Sequence, residues 1–120
     1  ALSVDLLGQV AADTLSGIQF SGVGGQVDFV RGTNNSLNGR AIIALPATAA
    51  GGKISRICST LAPGQAVTTS RYDVNYIVTE YGVAQLRGKT DRERSEALIG
   101  IAAPDVREQL REDRKKLYGW

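Results

Sequence analysis

Ser21-Gly22-Val23-Gly24-Gly25-Gln26-Val27-Asp28-Phe29 sets three glycines within four positions, after the β-prone Ile18-Gln19-Phe20 and at the start of an amphipathic run that reaches Val30. Glycine has no Cβ and tolerates positive φ, so the backbone can turn sharply here and lies open to an approaching group. A strand, a glycine turn and a helix start make a ready anion or oxyanion site, because free N–H groups point outward at a helix N-terminus. The spacing is not G-x-G-x-x-G, since the sixth position from Gly22 is Val27, and no lysine follows the last glycine as a P-loop requires. On the motif alone, a tight turn that holds no ligand is an equal reading.

The composition around this stretch narrows the classes. A chain of 120 residues suits one domain, and 14 basic against 12 acidic residues leave a formal charge of +2. That balance, with the basic residues spread and interleaved with acids towards the C-terminus, gives no electrostatic case for nucleic acid. No apolar run is long enough to span a membrane and no signal peptide opens the chain, so neither a membrane nor a nucleic acid is expected as partner and a cytoplasmic setting is. There is no histidine, which excludes a histidine-based triad, base or metal site within the chain, and no metal site is assigned. The one cysteine, Cys58, lies in an alternating apolar run and reads as a buried structural thiol. Ala1-Leu2-Ser3-Val4-Asp5-Leu6-Leu7 alternates as a half-buried strand does. A chain that begins inside a strand without methionine reads as a domain cut from a longer chain, a processed terminus being the alternative.

Taken in order, Val10-Ala11-Ala12 continues the first strand after a break at Gly8-Gln9, and Asp13 to Gly17 reads as a turn. A helix is expected over residues 25–31 and a polar loop over 32–39. The continuous apolar core of residues 40–46 predicts a strand buried on both faces and ended by Pro46. Strict alternation over 53–58 predicts one strand, and residues 66–69 form a short β-prone run. Residues 74–79 are the clearest strand and deliver Glu80-Tyr81-Gly82 at its C-terminal end. One helical turn is expected over 83–87. Thr90 and Glu93 then form a capping box for a helix through Leu98, Ile101 and Ala102, and Pro104 opens another with Val106, Leu110 and Leu117 on its apolar face. The order predicts an α/β domain with a mixed sheet and flanking helices.

At this point the motifs carry a resemblance. The stretch from Ser21 to Gly32 resembles the signature of the acetyl-CoA hydrolase/transferase family, which includes the 4-hydroxybutyrate and succinate:acetate CoA-transferases. So do Ile43-Ala44-Leu45-Pro46, residues 52–57, Val67-Thr68-Thr69 with Arg71, residues 78–83, Leu86-Arg87-Gly88 and Pro104-Asp105-Val106-Arg107. The resemblance covers residues 3–108 and corresponds to the C-terminal part of such enzymes, which have a NagB/RpiA/CoA-transferase type of fold. Departures fall at Ser3, where the family usually has an acid, and at Asn75 and Ala103, where it tends to have histidine.

The resemblance implies a reaction in which a glutamate attacks an acyl-CoA thioester, a mixed anhydride forms, and CoA returns to give a glutamyl-CoA thioester that a carboxylic acid or water then resolves. Coenzyme A is then a substrate, and no permanently bound cofactor is expected. The partners expected are acyl-CoA, small carboxylic acids, an N-terminal catalytic domain of the same protein and, as an option, a second copy in a homo-oligomer. The nucleophilic glutamate lies in a family segment that no position here matches, so the chain alone is expected to be inactive. Each addition charges a former carbonyl oxygen, and a well-placed N–H donor is worth roughly 2.7–4 kcal/mol to it. Gly24 and Gly25 are the oxyanion candidates, with Gly22 and Val23 beside the CoA path. Glu80 is the expected second active-site glutamate, orienting substrate from the carboxyl end of a strand; the alternative is a solvated acid paired with an arginine such as Arg87. Two readings fit Lys53: contact with a CoA phosphate or the pantetheine arm, and a solvated lysine at a strand start. Arg56 and Arg71 share that ambiguity, and Asp28 is expected to brace the glycine loop. A different class, a stand-alone CoA- or nucleotide-binding regulatory module, also fits the residues.

Overall fold

The computed structural model describes residues 3–15 and 17–120; the parts of the expected strand and turn that fall on Ala1, Leu2 and Ser16 lie outside them. The chain opens with β1 (Ser3–Asp5), which pairs antiparallel with β2 (Val10–Ala11), Val4 facing Val10. The turn between them depends on Asp5, whose carboxylate accepts the N–H groups of Leu7 at 3.0 Å and Gln9 at 2.9 Å, and on Gly8 at φ +90°. The expected turn at residues 13–17 is instead a small hairpin of β3 (Thr14–Leu15) and β4 (Ile18–Gln19), in which Leu15 pairs directly with Ile18.

Helix α1 (Gln26–Asn35) follows the glycine loop. It runs four residues beyond the expected end because tertiary contacts reinforce its last turns: Asn34 donates to the Asp73 carbonyl at 2.7 Å, and Arg31 pairs with the Asp73 carboxylate at 3.1 Å. Strand β5 (Ile42–Ala44) comes next, then the hairpin β6 (Thr48–Ala49) and β7 (Ile54–Ser55), then β8 (Ile57–Cys58). Residues 53–58 are therefore not one strand. β7 pairs with β6, while β8 pairs parallel with β1, and the chain changes neighbours at Arg56. The alternation survives the change, with Ile57 fully buried and Ile54 exposed. The β-prone residues 66–69 form no strand; only Thr69 bridges to Val10.

Strand β9 (Tyr76–Thr79) lies between β5, to which it is parallel, and β10 (Gly82–Gln85), to which it is antiparallel. The helical turn expected over 83–87 is thus a strand. Glu80-Tyr81 is a two-residue turn, Gly82 takes φ +146°, and the register sets Ala84 opposite Ile77. Strand β5 also departs from expectation, since it pairs only with β9 among the described residues and Ile42 is 59% exposed. The three-stranded sheets β2-β1-β8 and β10-β9-β5 are joined through the β6–β7 hairpin: Arg56 N–H donates to the Ala47 carbonyl, and Val4 N–H to the Arg56 carbonyl, both at 2.8 Å.

Helix α2 (Asp91–Ile101) covers β10 and β9 and starts at the predicted capping box, in which Thr90 Oγ1 accepts the Glu93 N–H and Glu93 accepts the Thr90 N–H. After a 3-10 turn (Pro104–Val106), α3 (Arg107–Tyr118) lies along α2 and buries Leu110, while Leu117 stays half-exposed. Leu6, Ile57, Ile77, Leu86, Leu98 and Ile99 are fully buried between the sheets and α2. Each such side chain stabilises the fold by about 1.5–3 kcal/mol. The result is the expected α/β class, with small mixed sheets and helices on them.

Candidate active site

The parallel pair β5 and β9 sends both chains towards the same edge, where α/β sheets place ligands. Leu45 and Pro46 follow β5 there and Glu80 follows β9. Together with Ala44, Val78 and Thr79 they line an open pocket of about 390 Å³. Side chains alternate along a strand. Thr79 Oγ1 donates to the Ile101 carbonyl at 2.6 Å on the α2 side, whereas the Glu80 carboxylate meets the Ala47 N–H beyond the end of β5. Both Glu80 oxygens accept the Ala47 N–H, at 3.0 and 3.2 Å, while the rest of the carboxylate is exposed. No ion pair joins Glu80 to Arg87 among the described residues, and its hydrogen-bond partner is this backbone group three residues past β5. An exposed carboxylate oriented by one backbone donor keeps lone pairs free for a further donor.

The glycine loop lies between β4 and α1. Gly22, Val23, Gly24 and Gly25 are exposed, and among the described residues the N–H groups of Gly22, Gly24 and Gly25 have no hydrogen-bond partner. Gly24 sits at φ +61°, which a side chain would strain. A Cβ added at Gly22 or Gly24 would meet no atom within 4 Å, so packing inside the chain does not require glycine at Gly22. At Gly25 a Cβ would lie 3.0 Å from the Phe29 ring. Gly25 is also the N-cap of α1 without a capping side chain, so the helix presents uncapped N–H groups.

The expected brace is a different aspartate. Asp28 is exposed in the first turn of α1, where it complements the helix dipole, and its carboxylate has no partner among the described residues. Asp13 holds the loop entry instead: its carbonyl accepts Phe20 N–H at 2.7 Å and Ser21 N–H at 3.2 Å. Its carboxylate accepts the Thr68 hydroxyl, a bond that keeps its pKa below the ordinary value. Nothing local to Asp13 marks this role, and the one sequence signal for its partner is the Val67-Thr68-Thr69 motif.

The strands that precede the glycine loop and Glu80, β4 and β9, belong to different sheets. Among the described residues β4 pairs only with β3, so adjacent strands do not bring the loop to Glu80, and the pocket at Glu80 contains no loop residue. Lys53 is exposed at the tip of the β6–β7 hairpin, after Ala50, Gly51 and Gly52, all at positive φ, and it too is absent from that pocket. Arg71 pairs with Asp91 at 3.3 Å and stacks on Tyr72, a structural setting. Cys58 donates from Sγ to the Val4 carbonyl at 3.5 Å, and burial pushes its thiol up to about 12, as an inert structural cysteine requires. Among the described residues no three His, Cys, Asp or Glu side chains cluster to hold a metal, and no helix is long and apolar enough to cross a membrane.

Residues 1–114 match the model of the acetyl-CoA hydrolase/transferase C-terminal domain. Over 98% of its length the chain is 57% identical to the 4-hydroxybutyrate coenzyme A transferase of Clostridium kluyveri, of which it covers 27%. It is 46% identical to the butyryl-CoA:acetate CoA-transferase of Anaerostipes caccae, covering 100% of this chain and 28% of that one. Among solved structures, RipA from Yersinia pestis matches with a TM-score of 0.90 at 44% identity, over 98% of this chain and 26% of that one. A 4-hydroxybutyrate CoA-transferase from Porphyromonas gingivalis matches with a TM-score of 0.77 at 44% identity, over 98% and 25%. The chain thus spans 27% and 28% of the length of these two curated relatives.

Proposed function

The chain belongs to the acetyl-CoA hydrolase/transferase C-terminal domain family, and we propose that it forms the C-terminal part of an enzyme that moves CoA between an acyl-CoA and a small carboxylic acid. The observation that carries the proposal is Glu80. It stands at the carboxyl ends of a parallel strand pair, beside an open pocket, with an exposed carboxylate oriented by the Ala47 N–H. In this reading a glutamate from the N-terminal catalytic domain attacks the thioester, and the glutamyl-CoA intermediate is resolved by the acid or by water. Coenzyme A enters as substrate, with no resident cofactor. Glu80 accepts hydrogen bonds from the substrate and fixes its approach, while Gly24 and Gly25 direct N–H groups at the developing oxyanion. Gly22 and Val23 border the path of the thioester arm, and Lys53 meets the anionic end of CoA from its hairpin tip. Open backbone N–H groups at the glycine loop support the oxyanion role, since preorganised donors need no rearrangement as charge develops.

The test is Glu80→Gln in the full-length protein. Glutamine keeps the shape and one acceptor for the Ala47 N–H, so the circular dichroism spectrum and Tm should hold. The turnover number should fall roughly 100-fold, the cost of a mispositioned substrate. Acyl-enzyme formation, followed by mass spectrometry, should slow without disappearing, because the nucleophile is another glutamate. Unchanged kinetics would refute the role of Glu80.

A further inference from the structure

The Val67-Thr68-Thr69 motif is neither a strand nor part of the Glu80 pocket, yet its backbone is secured to the core. Thr68 and Thr69 both donate their N–H to the Val10 carbonyl, at 2.7 and 3.1 Å, and the Thr69 carbonyl accepts the Val10 N–H at 3.1 Å. Val10 and Thr69 are fully buried. From this fixed point the two hydroxyls reach opposite ends of the glycine loop. Thr68 Oγ1 accepts the Ala12 N–H at 2.8 Å and donates to the Asp13 carboxylate, and the Asp13 carbonyl in turn holds the Phe20 and Ser21 N–H groups at the loop entry. Thr69 Oγ1 accepts from Gln26 Nε2 at 2.7 Å, and Gln26 is the first residue of α1, at the loop exit.

Between these anchors the N–H groups of Gly22, Gly24 and Gly25 have no partner among the described residues. A glycine loop whose N–H groups make no bonds can turn them in many directions unless its ends are held. We infer that Thr68 and Thr69 are positioning residues that clamp the two ends of the glycine loop and so fix the direction of its N–H groups; the inference rests on the oxyanion role proposed for that loop. Neither threonine touches substrate. Each acts through Asp13 or Gln26 on the donors that do.

The experiment uses the full-length protein with Thr68→Val, which keeps the shape and removes the hydroxyl, Thr68→Ser, which restores it, and Gln26→Leu at the other end. Two readouts are taken together: amide hydrogen exchange of the segment containing Phe20 and Ser21, and kcat and KM for the acyl-CoA. Thr68→Val should speed exchange there and lower kcat roughly tenfold to 100-fold, the range expected of donors displaced by about 1 Å. KM should change little, because the loss falls on the transition state. Thr68→Ser should bring both readouts back, and Gln26→Leu should lower kcat from the other end. Unchanged exchange in Thr68→Val overturns the clamp. Equal loss of kcat in Thr68→Val and Thr68→Ser overturns it as well, since the hydroxyl is then irrelevant. Faster exchange with unchanged kcat overturns the catalytic role of the glycine loop, and with it the positioning role, while leaving the hydrogen bonds themselves intact.

Discussion

A Cβ built on Gly39 would fall 1.9 Å from the Thr33 carbonyl oxygen, inside the turn that leads from α1 to β5. The atom met first is backbone, so no flexible side-chain end can yield there. Gly39→Ala should therefore cost about 1–3 kcal/mol, read as a lower urea midpoint. Gly22 and Gly24 are the contrast, since a Cβ there meets open space. Their glycines are recognisable in the sequence, but only the structure separates a glycine demanded by a neighbouring carbonyl from one left bare towards solvent. Cys58 was legible in part at the same scale: an apolar alternating run marks a packed thiol, and Cys58 is half-buried rather than buried. Burial raises its folded pKa to about 12, whereas an unfolded thiol ionises near 8.5. The protonated thiol thus contributes stability that is fully present below about 8.5 and is lost as pH rises towards 12. Denaturant midpoints should fall between pH 8 and 10.5, and Cys58→Ala should show a smaller fall; equal slopes in the two proteins would refute this.

At the scale of elements, the start of α2 is encoded locally and the hairpin before it is not. Thr90 and Glu93 are three residues apart and form the capping box that their spacing predicts. Thr90→Ala should destabilise the domain by about 1 kcal/mol in a urea melt. The Thr90 backbone N–H, and then its hydroxyl, hold Glu93 below the ordinary carboxylate value. The support from this carboxylate is therefore complete above the unfolded glutamate pKa of about 4.3 and is lost as pH falls through the lower folded value. The stability difference between wild type and Glu93→Gln should shrink on acidification from pH 6 to 3. By contrast, Val83-Ala84-Gln85-Leu86 carries no decisive period. A helical turn and a strand bury similar residues over so short a run. Pairing with β9 decides it, since Ala84 faces Ile77 under α2. Strand β5 was misread for a related reason: an apolar run reports hydrophobicity and not which neighbour covers it, and Ile42 lies on an open face.

For the whole molecule, the proposed division of labour predicts that this polypeptide alone turns over no acyl-CoA. Purified chain incubated with acetyl-, propionyl-, butyryl- or succinyl-CoA, with and without acetate, should release no free thiol and form no new thioester above background. Turnover that survives repurification would place a nucleophile within these residues and overturn the reading. What the sequence by itself determined is local: the glycine turn between a strand and a helix, the strand that delivers Glu80, the capped start of α2 and the new helix after Pro104. Backbone freedom, β-branching, capping and the missing proline N–H each act over a few residues, so each can be read where it stands. The motifs also identified the family. Only the tertiary structure decided which backbone group holds the Glu80 carboxylate, where residues 53–58 change neighbours, and which groups hold the ends of the glycine loop. The Glu80–Ala47, Thr68–Asp13 and Gln26–Thr69 bonds join residues 33, 55 and 43 positions apart. No local pattern specifies such pairs, because they form only when burial of the core has brought the separate elements together.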